Sequence, residues 1–284
     1  LILAYLLTGV VSSKLGEKFA IGIVAVMLLG FSGKTIVRNY AWENDYALAS
    51  SDINTSDGSA KIRMTMGSEL LDQAKDAASP QEKARLLQEA EQYELSSLKI
   101  YPAYFPPLDI LGNIYYENGN YEYSIHYFEQ AVKKKPNDER ILGNLEAVAT
   151  KANEKGLFEA AIKGYKTAAR FRKGAAKSRI FASLGEVYGK GMNDMQNSKK
   201  FLNKAIKHNP QNASAYQKIG IVFAMTGSAD SALVSFNKSL ELDPENARVM
   251  LNLGILYNQM GDAEQGNRFM AEAMRLDPSL APSK

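Results

Sequence analysis

The sequence predicts an all-α chain: a transmembrane helix hairpin followed by an α-solenoid of about six helix pairs. Three observations predict it. The C-terminal part aligns with itself at a fixed spacing of 34 residues. Small residues, aromatics and helix-ending Gly and Pro recur at fixed places within that spacing. The first 37 residues hold two uncharged, aliphatic runs.

The clearest periodicity lies in Ala213 to Leu280. Tyr216 falls over Met250, Ile219 over Leu253, Gly220 over Gly254 and Phe223 over Tyr257. Gly227 falls over Gly261, Ala232 over Gly266, Phe236 over Met270 and Pro244 over Pro278. A small residue at position 8 of the first helix and another at position 20, on the second, let two antiparallel backbones approach closely. Bulky residues at 4, 7, 11 and 24 fill the space around that contact. Gly at position 15 ends the first helix and Pro at 32 ends the second. One such pair cannot bury its apolar face alone, so the pairs must stack. This pattern resembles the tetratricopeptide repeat (TPR).

The N-terminus reads differently. Leu1 to Ser13 is uncharged, and Phe19 to Gly33 is a second uncharged run. The window Leu15 to Val37 is long enough for a hydrocarbon core of about 30 Å if Lys18 and Lys34 snorkel. Residues 1–37 are therefore expected to form two membrane spans, the first truncated, joined by a loop at Ser12 to Lys18; the alternative is two buried helices of a soluble domain. Lys14 and Lys18 on one side balance Lys34 and Arg38 on the other, so charge does not set the topology. Tyr40, Trp42 and Tyr46 suit either the headgroup level or packing on the first repeat.

The connector, 38–59, carries a short motif. Arg38 and Asn39 are followed by Trp42 and Glu43, and then by Ser59, Ala60 and Lys61. Placed between a span and a repeat array, this junction resembles that of the transmembrane and tetratricopeptide-repeat O-mannosyltransferases and their bacterial relatives. Asp57-Gly58 replaces the Pro usual there, and Thr65-Met66-Gly67 replaces the usual Asn-Leu-Gly. The resemblance implies a membrane glycosyltransferase with its catalytic spans upstream of Leu1, and repeats outside the cytoplasm, periplasmic or lumenal.

The repeats are expected at 60–104, 105–141, 142–177, 178–212, 213–246 and 247–280, with a tail at 281–284. The first is irregular: Gly67 takes position 8 and Ala90 takes position 20 about eleven residues late. Ser79, Pro80 and Glu82 read as a capping box opening its second helix. The fourth holds one extra residue around Gly191 and Met192.

Composition excludes several chemistries. A net charge of +3 argues against nucleic acid as a partner. The absence of Cys excludes disulfides and thiolate metal sites. Ser32-Gly33-Lys34-Thr35 lacks the first Gly and the preceding strand of a phosphate loop. Asp52, Asn54 and Ser56 have calcium-loop spacing, but Gly58 comes one place late and Arg63 stands where Glu is needed. His126 and His208 are isolated. No catalytic residues, metal site or cofactor site are expected.

What remains is a surface. In stacked repeats, positions 2, 5, 6, 9, 12 and 13 of each first helix face the concave groove, and there stand Asp109, Asn113, Tyr116, Asn153, Lys218, Arg248, Asn252 and Asn258. Asn both donates to and accepts from a peptide backbone. These residues are either ligand contacts or solvated helix positions. The expected partners are a protein or extended peptide in the groove and the bilayer through residues 1–37. Two functions compete: a non-catalytic region that recruits acceptor polypeptide to a membrane O-mannosyltransferase, and a membrane-anchored adaptor for envelope protein assembly with no enzyme attached.

Overall fold

In a computed structural model the chain is described at residues 14–41, 43–53, 56 and 58–281. These residues form fourteen α-helices, one π turn and one 3₁₀ turn. They fall into two compact units, one reaching Pro107 and the other starting at Leu108.

The first unit contains α1 (Lys14–Ala41), α2 (Asp45–Asp52), α3 (Ala60–Lys75) and α4 (Pro80–Ile100). Here the expected hairpin is corrected. Lys14 to Lys18, expected in a loop, are helical, and among the described residues no helix is long and apolar enough to cross a membrane. The physical reason is length: the uncharged run between Lys18 and Lys34 is fifteen residues, roughly 22 Å at 1.5 Å per residue, against about 30 Å of hydrocarbon. The first expected span, Leu1 to Ser13, lies outside the described residues, as do Trp42, Asn54 and the side chains of Arg38 and Tyr40. Asn39, Glu43 and Tyr46 are exposed.

The connector holds a helix of its own. Asn44 caps α2 by accepting from Ala47 N at 2.8 Å. Ala49 is buried, and Ser50 Oγ lies 3.7 Å from Met66 Sδ, which seats α2 on α3. Ser59 caps α3 through Ile62 N, and Ser79 caps α4 through Glu82 N at 3.2 Å. Glu82 makes no return bond, so the capping box is half formed.

The second unit is an α-solenoid of five helix pairs. They are α5 (Pro106–Glu117, from its third residue) with α6 (Tyr121–Lys134), α7 (Glu139–Glu154) with α8 (Phe158–Phe171), α9 (Gly174–Glu186) with α10 (Met195–His208), α11 (Ala213–Met225) with α12 (Ala229–Leu242), and α13 (Ala247–Gln259) with α14 (Ala263–Leu276). The small-residue positions make the predicted contacts. A Cβ added at Gly220 would stand 2.7 Å from the Phe236 ring, and one at Gly112 2.8 Å from the Phe128 ring. Ser124 and Ser198, at position 20, donate to the carbonyls of Gly112 and Gly185 at 2.7 Å, satisfying a hydroxyl inside the core. Gly119, Gly156, Gly227 and Gly261 end their helices with φ between 72° and 89°, a conformation that penalises any Cβ.

The extra residue of the fourth repeat is absorbed at the end of α9. Val187–Gly191 forms a π turn, closed by Met192 N donating to Val187 O at 3.0 Å. This insertion within a helical ladder leaves the downstream pair in phase.

Candidate interaction groove

The first helices of the last three pairs, α9, α11 and α13, line a cavity of about 740 Å³ together with the π turn. Lys218, Arg248 and Asn252 all lie in it. Lys218 Nζ donates to Glu186 Oε2 at 2.5 Å, so its charge is already neutralised across the α9–α11 step. Arg248 is exposed, and among the described residues it has no ion-pair partner. It is a cation this cavity offers to a ligand, and Lys190 of the π turn also lines the cavity.

Apolar side chains share the cavity with these polar groups. Ile221, Met225 and Leu251 line it, and Ile255 continues the same stripe in a smaller adjoining pocket that also contains Asn252. Met225 is 63% exposed and Ile255 43%. Sequence reasoning missed these residues. The signal was available: Leu251 occupies position 5, Ile221 and Ile255 position 9, and Met225 position 13, all groove positions.

The other predicted residues lie elsewhere. Asp109 is buried and ion-paired with Arg140 of the next pair, with Oδ1 left unpartnered. Burial pushes its carboxyl above the ordinary range despite the Arg140 hydrogen bond and charge. Asn113 donates to Asp109 O at 2.9 Å and accepts from Asn144 at 3.5 Å. Asp109 and Asn113 therefore tie α5 to α7. Tyr116 is half-buried, edge-on to Tyr121. Asn153 is half-buried, and its carbonyl accepts from Gly156 N. Asn258 turns toward α14, its amide 3.4 Å from Met270 Sδ and its oxygen 2.1 Å from where a Gly266 Cβ would be.

A second unpredicted feature sits in the first unit. Glu94 of α4 is wholly buried and neither carboxyl oxygen has a partner. Burial pushes its pKa up to about 9. Among the described residues no cluster of His, Asp and Glu could hold a metal ion.

Comparison with known proteins agrees with this architecture. Residues 107–138, 178–212 and 235–266 each match a tetratricopeptide-repeat model. The chain carries tetratricopeptide repeats. Solved structures similar to it include MamA, at 21% identity over 60% of this chain and 95% of that one with a TM-score of 0.48. Another is YrrB, a TPR protein with an unusual peptide-binding site, at 17% identity over 81% and 92% with a TM-score of 0.37. A third is the Cut9–Hcn1 assembly of the APC/C, at 14% identity over 82% and 43% with a TM-score of 0.45. At these scores the likenesses carry no functional argument. No curated protein matches the sequence.

Proposed function

We propose that this chain is a protein-interaction module that holds an extended polypeptide in the groove of its last three TPR pairs. The observation that carries this reading is the exposed stripe of Ile221, Met225 and Ile255 beside Arg248 and Asn252. Solvated helix faces do not need exposed aliphatics in a row, and apolar anchors flanked by a few polar groups are what recognition of a chain requires. Asn252 offers a donor and an acceptor to a peptide backbone, and Arg248 a fork for a carboxylate.

The finer reading is recruitment of acceptor polypeptide to a membrane protein O-mannosyltransferase, with the repeats outside the cytoplasm. It is supported by the resemblance of the junction from Arg38 to Lys61. An adaptor attached to the envelope would use the same groove. Both readings are served by the exposed apolar residues of α1, among them Val26, Leu29 and Phe31. The full reading frame separates them: eight or more further spans upstream favour the enzyme, and a single one the adaptor.

The groove itself is tested with a displayed library of random dodecapeptides. We expect selection of peptides that bind the parent and lose binding to Ile221→Asp. Val234→Asp, at a more exposed aliphatic on the second helix of its pair, should leave binding unchanged. Equal loss in both variants, or no selected peptide, contradicts the reading.

A further inference from the structure

The groove already contains a piece of this chain. After α14, Asp277 starts the 3₁₀ turn Pro278–Leu280 and accepts from Ser279 N at 3.0 Å and Ser279 Oγ at 2.6 Å. Pro278 fixes the first backbone angle of that turn, which lowers the entropy lost in forming it. The turn carries Leu280 back into the wall of the cavity lined by Arg248, Leu251 and Ile221, where it is half-buried. Asp277 meanwhile lies close enough to Arg248 for the two charges to interact. An aliphatic side chain thus lines the cavity beside Leu251 and Ile221, while the carboxylate three residues earlier is near enough to Arg248 to feel its charge without forming an ion pair.

We propose that Asp277–Leu280 is a tethered occupant of the groove, and that external ligands are extended peptides bearing the same pair: a carboxylate followed three residues later by an aliphatic side chain. This rests on the groove reading given above and names its ligand class. The complementarity is of charge and of apolar surface together. Among the described residues Arg248 forms no ion pair, and Asp277 is a carboxylate whose charge it influences. Leu280 ends the short 3₁₀ turn that follows α14, and that turn places it in the cavity wall. Tethering raises the local concentration of such a weak ligand to roughly the millimolar range. A free peptide must displace it, so its apparent affinity falls by the fraction of time the groove is filled.

The experiment uses the whole chain and a labelled synthetic peptide covering residues 273–281, followed by fluorescence anisotropy. Leu280→Asp should bind the peptide at least tenfold more tightly than the parent. Leu280→Ala should show an intermediate gain, and combining Leu280→Asp with Arg248→Ala should remove it. Because a change at Leu280 could loosen α14, melting temperatures are compared, and the Leu280→Ala result stands where Leu280→Asp unfolds. Equal affinity for parent and both Leu280 variants overturns the tethered occupant. So does absence of binding to all of them. In either case the groove reading survives if the library-selected dodecapeptide still binds, and falls with the inference if it does not.

Discussion

Glu94 packs its carboxyl directly on Gly67: a Cβ built on Gly67 would stand 2.3 Å from Glu94 Oε1. The equivalent place in other pairs holds an apolar knob, as Phe128 does on Gly112, Phe236 on Gly220 and Met270 on Gly254. An ionisable group therefore fills a core position with no partner for either oxygen. Burial favours the neutral acid, which is the form at neutral pH.

That proton makes the first helix pair pH-sensitive. The folded pKa of about 9 lies above the ordinary 4.5. The folded state therefore binds the proton more tightly, stability is fully present below pH 4.5, and it declines as pH rises through 9. At pH 7 the loss is about 3 kcal/mol at 1.36 kcal/mol per unit. Glu94→Gln should flatten the profile, and Glu94→Leu should also raise the melting temperature at pH 8. The check is a set of thermal melts at pH 5, 7 and 9. Profiles that run parallel in parent and Glu94→Gln would refute it.

Glu94 also marks where sequence reasoning stops. Gly67 and Ala90 were legible as positions 8 and 20, and Glu94 stands four residues after Ala90, at the knob position. Counting locates it, but the residue type says surface. Asp109 fails in the opposite sense. Its position reads as groove, yet Arg140, in the first turn of the next helix pair, draws it into a buried ion pair that no local spacing announces. Gly220, Phe236, Gly254 and Met270 were legible because a 34-residue period repeats the contact they make. The aliphatics Ile221, Met225 and Ile255 were passed over because an apolar residue on a helix reads as core unless the face it occupies is counted. The membrane hairpin rested on Lys18 and Lys34 snorkelling to lengthen an uncharged run that is too short by itself.

The Asp109–Arg140 pair should couple α5 to α7. Arg140→Ala leaves a buried carboxylate without its donor and should cost about 1–3 kcal/mol. The cost should be larger at pH 8 than at pH 2, below the ordinary carboxylate range, where protonation removes the charge that Arg140 pairs with. Asp109→Asn in the Arg140→Ala background should recover part of it. Urea melts of the four proteins in this cycle measure the coupling, and an additive cycle would show that the pair contributes nothing.

Small-residue contacts differ in how much they can give. A Cβ at Gly254 meets Gly266 O of the backbone at 2.9 Å as well as Met270 Cγ at 2.5 Å. At Gly143 it meets nothing within 4 Å. Gly254→Ala should therefore destabilise the last pair by about 1–3 kcal/mol, and Gly254→Leu should unfold it. Gly143→Ala should stabilise by roughly 0.5–1 kcal/mol, as expected within a helix. Hydrogen exchange of α13 and α14 distinguishes local unfolding from global loss, and protection unchanged in Gly254→Leu would disprove the contact.

The central claim is that Arg248 and Asn252 serve a ligand and not the fold. The direct measurement is calorimetric titration of a library-selected dodecapeptide into the parent and into the double variant Arg248→Ala, Asn252→Ala. Two lost polar contacts at about 0.5–1.5 kcal/mol each amount to roughly tenfold at about 1.4 kcal/mol per decade. The account predicts binding weakened tenfold or more with the melting temperature unmoved, because neither residue occupies a packing position. Affinity equal to the parent's, or a loss that merely follows a fall in melting temperature, would contradict it.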